Sequence, residues 1–454
     1  MNSAQYKRSK WPWFMLGMLF IAYNLSVTDR SIIVLMIEPM KAHFQATDTQ
    51  ISYLHGFAFL VIYSLVGLPM GLLADRLSRK HLVGGGIAIW SLMTALCGVT
   101  NSYSQLFAAR VGVGIGEAVL SPAAHSLIAN SFSRKHLGLA VGVFSMGGIT
   151  GVAVAMIGGG QLLAALTVNA PIILPWIGQV EPWQAAFILL GLPGLAIAPL
   201  FLLLREPPRE AADTGRPSGL PKAELVTFYR LHWRALLPHH LAIGCTHLMM
   251  LGSITWITPY FMRVHSWPVD RIGLWIGVAN IAAGLAGFLF GGALSDRLGR
   301  KGVRGRLHLC VAAMPIGALS AGLFTLTDSP AVAIAGFTLF LACVLLPYGV
   351  ASAALQDIAP EGARATLAAI FLLVVSLVSS SGPTFVAILS DFQFTAQEGV
   401  RYSLLTVALI GTTLAGLLFL LSVRPFEHAS KASIRTLGES SSTQNFSELK
   451  AASN

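Results

Sequence analysis

The feature that most constrains this chain is a series of long apolar runs that contain almost no charge. A helix that crosses a bilayer needs about 20 predominantly apolar residues, and twelve stretches of the sequence reach that length. Helices also satisfy their own backbone N–H and C=O groups, which the bilayer core cannot do. We therefore predict an all-α membrane protein with twelve transmembrane helices. The predicted spans cover residues 13–36, 51–74, 82–100, 104–131, 137–165, 183–204, 236–262, 270–295, 307–326, 331–356, 365–390 and 401–422.

Composition and charge distribution agree with a membrane protein and argue against a nucleic-acid partner, although the net charge is +10. Only 11% of the residues are charged and 54% are hydrophobic, whereas soluble domains carry about 25% charged residues. Of the 30 lysines and arginines, 24 lie before the first predicted span, after the last, or in loops that follow even-numbered spans. Four lie in the other loops or at the span ends next to them. Because basic loops stay in the cytoplasm, both termini are predicted to be cytoplasmic.

A charged turn occurs twice, once in each half of the chain. The segment GLLADRLSRK at 71–80 follows the second predicted span, and GALSDRLGRK at 292–301 follows the eighth, 221 residues later. A repeat of this length indicates two homologous halves. We expect an N-terminal six-helix bundle, a cytoplasmic amphipathic linker, a C-terminal six-helix bundle and a disordered cytoplasmic tail. These units are assigned to residues 1–204, 205–235, 236–426 and 427–454.

The two turns are predicted to act as a conformational gate on the cytoplasmic side rather than to contact substrate. Glycine lets two helices approach closely, and an aspartate can cap a helix end or pair with an arginine. A solvated charged loop is the simpler interpretation of one copy, but two copies in register argue against it. The candidate gate residues are Gly71, Asp75, Arg76, Arg79, Asp296, Arg297 and Arg300.

Four charged residues lie well inside predicted spans, away from the span ends, where ionisable groups are costly and normally face a partner or a cavity. Asp29 and Arg30 belong to the first span, and Arg110 and Glu117 to the fourth. Seven residues make about two helical turns, so Arg110 and Glu117 share a face. Two carboxylates and two guanidinium groups can neutralise one another across facing helices. A carboxylate that gains and loses an arginine partner can carry a proton; static buried salt bridges are the alternative.

The second half carries no clear carboxylate in the middle of a span. Its spans contain histidine and aromatic residues instead, which suit a substrate-facing wall but also occur in ordinary kinked helices. A cavity with one charged wall and one mainly apolar wall fits an amphiphile, whose head meets the charges and whose tail meets the apolar wall. The candidate substrate-binding residues are Asp29, Arg30, Glu117, Ser121, His247, Trp256, Tyr260 and Tyr348.

Several classes of function find no support in the sequence. The four cysteines lie in apolar runs without paired or metal-ligand spacing, so we interpret them as packing residues and expect no metal site. The chain has no glycine-rich phosphate loop followed by Lys-Ser or Lys-Thr, which argues against ATP-driven transport. Without a catalytic constellation, we expect neither an enzyme nor a cofactor.

The duplicated turns resemble the signature loops of the major facilitator superfamily, and the likeness covers nearly the whole chain. Within that superfamily, the chain looks most similar to the Spinster-type transporters, especially their bacterial members. The similarity is carried by SVTDR at 26–30, GFAF at 56–59, GLPMG at 67–71, RVGVGIGEA at 110–118 and QDIAP at 356–360 with Arg364 after it.

This resemblance implies two six-helix bundles that work by alternating access, in a bacterial inner membrane. Asp29 and Glu117 would be the proton-coupling carboxylates, with Arg30 and Arg110 as their partners. Eukaryotic Spinster relatives move lysophospholipids and sphingoid lipids. The primary expectation is therefore a monomeric, proton-coupled transporter of such an amphiphile across the lipid bilayer.

Two other functions remain open at this point. The organic-anion symporters of the same superfamily also place a carboxylate on spans one and four, so proton-coupled symport of a sugar acid or an aromatic acid is the second candidate. A non-transporting receptor or a lipid-scrambling scaffold is the third. The buried charges and the duplicated turns argue against that third function.

Overall fold

The computed structural model describes residues 9–175, 177–207, 222–299, 302–360 and 364–452. Within these ranges a few helical side chains, among them that of Asp75 and those after Lys431, are not described. The described chain contains twelve helical segments that are long and apolar enough to cross a membrane. The predicted all-α fold with twelve spans is therefore confirmed, and we number these segments span 1 to span 12 in chain order.

The first six spans form one half of the molecule. Their α-helices cover Trp11–Ile32 and Ile37–Phe44 in span 1, Asp48–His55 and Ile62–Arg76 in span 2, Arg79–Cys97 in span 3, Tyr103–Glu117 and Leu120–Ser131 in span 4, Arg134–Ala153 and Gly159–Val168 in span 5, and Pro182–Ile197 in span 6. The remaining helical turns are 3₁₀ at Ile33–Met36 and Ala198–Leu203, and π at Gly56–Val61 and Val154–Gly158.

The last six spans form the other half. Their α-helices cover Lys222–His265 in span 7, Val269–Gly284 and Gly291–Gly299 in span 8, Val303–Leu326 in span 9, Pro330–Ile358 in span 10, Arg364–Ser379 and Gly382–Ile388 in span 11, and Val400–Ala452 in span 12. The remaining helical turns are π at Leu285–Phe290 and Leu389–Gln393, and 3₁₀ at Gln397–Gly399.

Three helices extend well beyond the apolar runs that predict them, and in span 12 the helix continues to Ala452 rather than ending at residue 422. Span 1 continues to Phe44 rather than ending at residue 36, and the helix of span 7 begins at Lys222 rather than 236. Hydropathy registers the part that crosses the hydrocarbon, whereas an amphipathic extension keeps its backbone hydrogen bonds near water. His232, with φ −107° and ψ 16°, separates this extension from the rest of span 7. Residues 208–221 of the expected linker lie outside the described part.

The connection between spans 5 and 6 contains a two-stranded antiparallel ribbon. Strand β1 covers Ile172–Leu174 and strand β2 covers Gly178–Val180, with Ile172 opposite Val180. Gly178 has a φ of 91°, a value that glycine adopts without steric cost. The ribbon lies between the fifth and sixth predicted spans, in residues 166–182.

The two halves meet differently at the two ends of the molecule. We call the end with the start of span 1 and the duplicated turns the basic end, and the opposite end the far end. At the far end one hydrophobic core joins both halves and includes Leu35 and Met156 of the first and Trp256 and Ile276 of the second. Toward the basic end, the first half has a core of its own around Phe132. The described halves are therefore closed together at the far end.

Spans 5 and 8, and spans 2 and 11, form the interface between the halves. A Cβ on Gly160 would lie 3.0 Å from the carbonyl oxygen of Val269, and one on Gly56 would lie 2.6 Å from that of Ser380. Glycine therefore permits direct backbone contact at both places. The four π turns of the described chain all fall in these four spans.

Candidate functional site

A buried carboxylate joins span 1 to span 4. Glu117 is fully buried, and Arg30, whose side chain is 22% exposed, donates from Nη2 to Glu117 Oε2 at 2.5 Å. The Ser26 hydroxyl donates to the same oxygen at 2.6 Å and accepts a hydrogen bond from Arg30 at 2.9 Å. Because Ser26 and Arg30 are one helical turn apart, span 1 presents both to Glu117. The carboxylate thus depends on a cation that is itself partly exposed.

A second ion pair lies beside the first, with less complete hydrogen bonding. Arg110 Nη1 is 3.7 Å from Asp29 Oδ1, and the Thr94 hydroxyl donates to Asp29 Oδ2. Both charged side chains are buried, and no described residue accepts a hydrogen bond from the guanidinium of Arg110. Arginine keeps its proton at physiological pH. This guanidinium therefore supplies a fixed positive charge that is held by Coulomb attraction.

One aromatic ring contacts both guanidinium groups. The Cζ atoms of Arg30 and Arg110 lie 5.2 and 5.3 Å from the centroid of the Phe59 ring, within the range of cation–π attraction. Phe59 belongs to the π turn of span 2. A Cβ on Gly114 of span 4 would lie 3.1 Å from the Phe59 carbonyl oxygen. The absence of a side chain at Gly114 therefore lets span 2 bring the ring to the charges.

Ser121 lies beside this cluster, and its contact with substrate stays a prediction. Its hydroxyl is 3.2 Å from that of Tyr63, and the Arg30 Cζ atom is 5.1 Å from the centroid of the Tyr63 ring. His247 and Tyr348 contact each other in the second half, with ring centroids 4.8 Å apart. Both are half-buried, and together they form a small aromatic patch in the second half.

Trp256 and Tyr260 are placed elsewhere. Both side chains are fully buried within the second half. The Trp256 indole donates to the Pro383 carbonyl at 2.8 Å, and the Tyr260 hydroxyl donates to the Phe324 carbonyl at 2.5 Å. The structure does not bring these two residues to the charged cluster, and their contact with substrate stays a prediction.

An ion-pair network, which the sequence did not reveal, joins the halves at the far end. Arg263, at the end of span 7, donates from its two Nη atoms to the two carboxylate oxygens of Asp48 at 2.7 and 2.8 Å. Its Nε donates to Glu38 at 2.8 Å, and Lys41 lies 2.5 Å from Asp48. Bidentate arginine–carboxylate pairs are both strong and directional. With side chains 9% and 2% exposed, Arg263 and Asp48 form a buried clasp between the halves.

The same network caps a helix of one half with a carboxylate of the other. Asp391 of span 11 accepts hydrogen bonds from the backbone N–H groups of Asp48 and Thr49 at 3.1 and 2.7 Å. These residues begin the helix of span 2. The first N–H groups of a helix have no partner within it, and an anion there is also favoured by the helix dipole. Separation of the halves at the far end would leave those donors without this cap.

At the basic end, one duplicated turn is anchored and the other is exposed. Arg79 is 2% exposed, and its Nε donates to Glu206 at 2.8 Å. Partial burial by itself raises the pKa of Glu206. The hydrogen bonds from Arg79 and Ser78 lower it by more than burial raises it, so the pKa lies below its ordinary value. The carboxylate is therefore charged at neutral pH. In the second copy, Asp296 and Arg297 are exposed.

The other candidate gate residues are less constrained by the structure. Gly71 is half-buried, and a Cβ there would lie 3.8 Å from Pro122. Arg76 is exposed. The side chain of Asp75 and the whole of Arg300 lie outside the described part of the chain. The gating role of the turns stays a prediction.

Some contacts had a signal in the sequence that was too weak to interpret. Ser26 lies four residues before Arg30, a spacing that places both on one helical face. Asp48, Arg263 and Asp391 are charges at the ends of spans, where charges are common because water is near. Nothing in the linear order indicates which of these end charges meet one another, because their partners are more than 200 residues away.

Comparison with known proteins agrees with this architecture. The family model described as the Major Facilitator Superfamily matches residues 19–383. An MFS-type efflux pump from Mycolicibacterium smegmatis is 30% identical over 400 residues, which cover 84% of each chain. A probable L-galactonate transporter from Escherichia coli K12 is 26% identical over 347 residues, which cover 71% of each chain.

Solved structures share the fold. A bacterial homologue of the human lysosomal transporter Spinster, in an inward-facing and unoccupied conformation, superposes with a TM-score of 0.74 at 24% identity, covering 94% of this chain and 98% of that one. A D-xylose–proton symporter superposes with a TM-score of 0.66 at 15% identity, covering 89% and 97%. With the family model matching most of its length and a 30%-identical relative aligned over most of both chains, this protein belongs to the Major Facilitator Superfamily of multi-pass membrane transporters.

Proposed function

We propose that the protein is a proton-coupled secondary transporter that moves a single-chain amphiphile of the lysophospholipid or sphingoid type by alternating access. The observation that carries the proposal is the arrangement of Ser26, Arg30 and Glu117, in which a buried carboxylate is held by a partly exposed cation. A carboxylate in this position can exchange its cationic partner for a proton.

The coupling step follows from charge balance at Glu117. When a carboxylate oxygen of Glu117 takes up a proton, the negative charge that holds Arg30 disappears, while Arg30 keeps its own charge. Arg30 is then stabilised more by water or by an anionic group in the space between the halves than by the neutral Glu117 side chain. Breaking a buried pair is worth about 3–5 kcal/mol, enough to shift a conformational equilibrium by more than about a hundredfold.

Asp29 is proposed as the second coupling carboxylate, with Arg110 as its partner. The 3.7 Å separation and the Thr94 hydrogen bond leave Asp29 Oδ1 without a hydrogen bond from any described residue. Phe59 touches both guanidinium groups, so a movement of Arg30 also alters the surroundings of Arg110. The two sites therefore respond to each other.

Alternating access assigns roles to the two ends. If the basic end faces the cytoplasm, as the distribution of Lys and Arg predicts, the present closure at the far end makes this an inward-open state. The clasp between Asp48 and Arg263 and the cap by Asp391 would break in the outward-open state. The anchored turn around Arg79 is proposed to stabilise a state from the cytoplasmic side without contacting substrate.

The amphiphile is favoured by the contrast between the two walls. Arg30 offers a partly exposed charge for a head group, beside the Tyr63 ring. The half-buried pair of His247 and Tyr348 offers an aromatic surface for a chain.

A small organic anion is the second candidate, and the similarity to a probable L-galactonate transporter favours it. A sugar acid has a carboxylate that Arg30 could bind, but it has no chain for an apolar wall. The two candidates therefore differ in how affinity depends on chain length.

Competition binding with single-chain lipids that share one head group, set beside short carboxylates, separates them. Each added CH₂ that is buried contributes about 0.8 kcal/mol, or roughly fourfold in affinity, so affinity for an amphiphile should rise with chain length until the groove is filled. A flat response, with a short acid bound more tightly, would favour the organic-anion symporter. Uptake into proteoliposomes that does not respond to a pH gradient would refute proton coupling.

A further inference from the structure

A groove at the basic end of the second half is not used by the transport cycle described above. It lies between the extension of span 7 and the beginning of span 11 and has a volume of about 600 Å³. Apolar side chains form most of its wall, including Leu225, Leu236, Leu237, Ile370 and Val374. Its size and apolar wall suit a hydrocarbon chain.

The groove follows one face of span 7. Trp233 and His240 line it, and His247 comes seven residues after His240. Residues seven apart on a helix lie on the same face. The groove therefore continues, toward the basic end, the face of span 7 that carries the aromatic pair of His247 and Tyr348.

Polar groups in the wall lack partners. The His240 side chain is buried, and neither its Nε2 atom nor the Tyr229 hydroxyl makes a hydrogen bond with any described residue. Buried polar atoms without partners are costly, by about 1–3 kcal/mol each in general. Such groups in a ligand-sized groove indicate a ligand that brings hydrogen-bonding atoms of its own. Arg230, which is exposed, also lines the groove and adds a positive charge.

We infer that this groove is a second binding site for the transported amphiphile, and that the amphiphile is a phosphate-bearing, single-chain lipid. The chain lies along Leu236, Ile370 and Val374, the polar linkage next to the head bonds the Tyr229 hydroxyl and His240 Nε2, and the phosphate is attracted to Arg230. This inference rests on the proposed function and sharpens it, because Arg230 would repel the ammonium group of a sphingoid base.

Trp233 provides a reporter inside the groove, since its side chain is 53% exposed. The full-length protein is titrated with lysophosphatidylglycerol brominated on its chain, and the Trp233 signal is taken as the difference between the wild type and Trp233→Phe. We expect quenching at concentrations about fivefold lower than for brominated sphingosine, since one basic residue near an anionic head is worth about 1 kcal/mol.

Matched variants test each part of the groove. Arg230→Gln should raise the half-quenching concentration about fivefold, whereas Arg304→Gln, an exposed arginine at the basic end that does not line the groove, should leave it unchanged. Val374→Phe should abolish quenching without altering any charge. Equal effects of the two arginine variants, or equal quenching by sphingosine, would overturn the inference.

Two further outcomes separate this inference from neighbouring ideas. If brominated diacyl phosphatidylglycerol quenches as well as the single-chain lipid, the groove contacts bilayer lipid and the inference is wrong. Proton-driven uptake is measured in parallel, and its absence in the wild type refutes the proposed function. Normal uptake by Val374→Phe shows that the transported lipid does not bind in the groove during transport, which refutes the inference.

Discussion

The two halves of this transporter handle charge in opposite ways. In the first half, Asp29, Arg110 and Glu117 are buried in the middle of spans. In the second half, the described charged side chains lie near the ends of spans, as Arg306 does with Asp357 at 2.5 Å and as Arg401 does against the Thr325 carbonyl at 3.0 Å. The fold is duplicated, but the charges buried in the middle of spans are not.

This difference teaches where the energy for coupling can be stored. A charge near the end of a span can reach water when the protein moves, so the free energy of the charged side chain differs little between conformations. A charge in the middle of a span must exchange one partner for another when the protein moves. If no new partner is available, the unpaired buried charge costs several kcal/mol. Coupling is therefore expected in the first half, and the second half is free to bind the apolar part of a substrate.

The largest expected effect comes from Glu117→Gln, which keeps the shape of the side chain and removes its ionisation. Accumulation driven by a pH gradient in proteoliposomes should fall by about a hundredfold or more, while some substrate binding remains. His247→Gln in the second half is the matched comparison, and it should change affinity while uptake still responds to the gradient. Gradient-driven uptake at the wild-type level in Glu117→Gln would show that the first half does not carry the coupling.

Arg110→Met should cost about 3–5 kcal/mol of stability, because it leaves the buried Asp29 carboxylate without its cation. Thermal unfolding in one detergent measures the loss. The double variant Arg110→Met with Asp29→Asn should recover most of it, since no unpaired charge is then buried. An additive double variant, no more stable than the sum of its parts, would mean that the 3.7 Å pair is not an interaction.

Arg263→Met should open the far end. Losing the bidentate pair with Asp48 removes about 1–3 kcal/mol from the closed state, which is roughly a tenfold change in the equilibrium. Spin labels at the exposed positions Asn101 and Gln397 would report a longer distance.

Arg401→Met is the matched control for that experiment. Arg401 is also an arginine at the far end, but it contacts groups of the second half: the Thr325 and Thr327 carbonyls, Asp328 and Glu398. The distance between the labels should stay as in the wild type. A lengthening in Arg401→Met equal to that in Arg263→Met would contradict the clasp between the halves.

The smallest expected effect compares the ends of spans 6 and 12. Glu206 and Glu427 are 221 residues apart, the spacing of the duplicated turns. Glu206 binds the buried Arg79, whereas Glu427 is 4.0 Å from the exposed Arg304. Glu206→Gln should lower turnover about fivefold with little change in affinity, and Glu427→Gln should leave turnover unchanged because exposed pairs contribute little.

The pH dependence of the Glu206 contact follows from its lowered pKa. A group whose pKa is lowered by folding contributes stability that is fully present above its ordinary pKa and is lost as the pH falls through the folded-state value. The contact with Arg79 should therefore persist across neutral pH and weaken in acid below 4.5, the ordinary pKa of the group. Wild-type and Glu206→Gln turnover, measured over the same acid range, should converge at its lower end.

Local requirements explain what the sequence could predict. Each span must satisfy its backbone and face lipid by itself, so apolar run length alone located twelve helices. The buried charges were equally visible, because a charge in an apolar run stands out. The sequence predicted neutralisation across facing helices but not the partner of each charge: Arg30 bonds Glu117, and Arg110 approaches Asp29. Pairing depends on how helices are rotated about their axes, which hydropathy does not report.

The far-end clasp was invisible for a related reason. Arg263 and Asp391 look like ordinary residues at the boundary of the membrane, and their roles appear when the second half is placed against the first. The buried positions of Trp256 and Tyr260 also depend on rotation of the helices. The sequence shows which residue types span 7 carries but not the direction in which each side chain points.

The π turns in spans 2, 5, 8 and 11 have a consequence for how such an interface can change. A π turn closes its hydrogen bonds over one more residue than an α turn, and one residue corresponds to about 100° of rotation about a helix axis. Each of these spans therefore consists of two helical parts, and the extra residue of the π turn sets how one part is rotated about the helix axis relative to the other. A one-residue insertion or deletion at that position would turn a different face of the span toward the opposite half while changing the length of the span by about 1.5 Å. The residues that meet between the halves can therefore change while the packing within each six-helix bundle is kept.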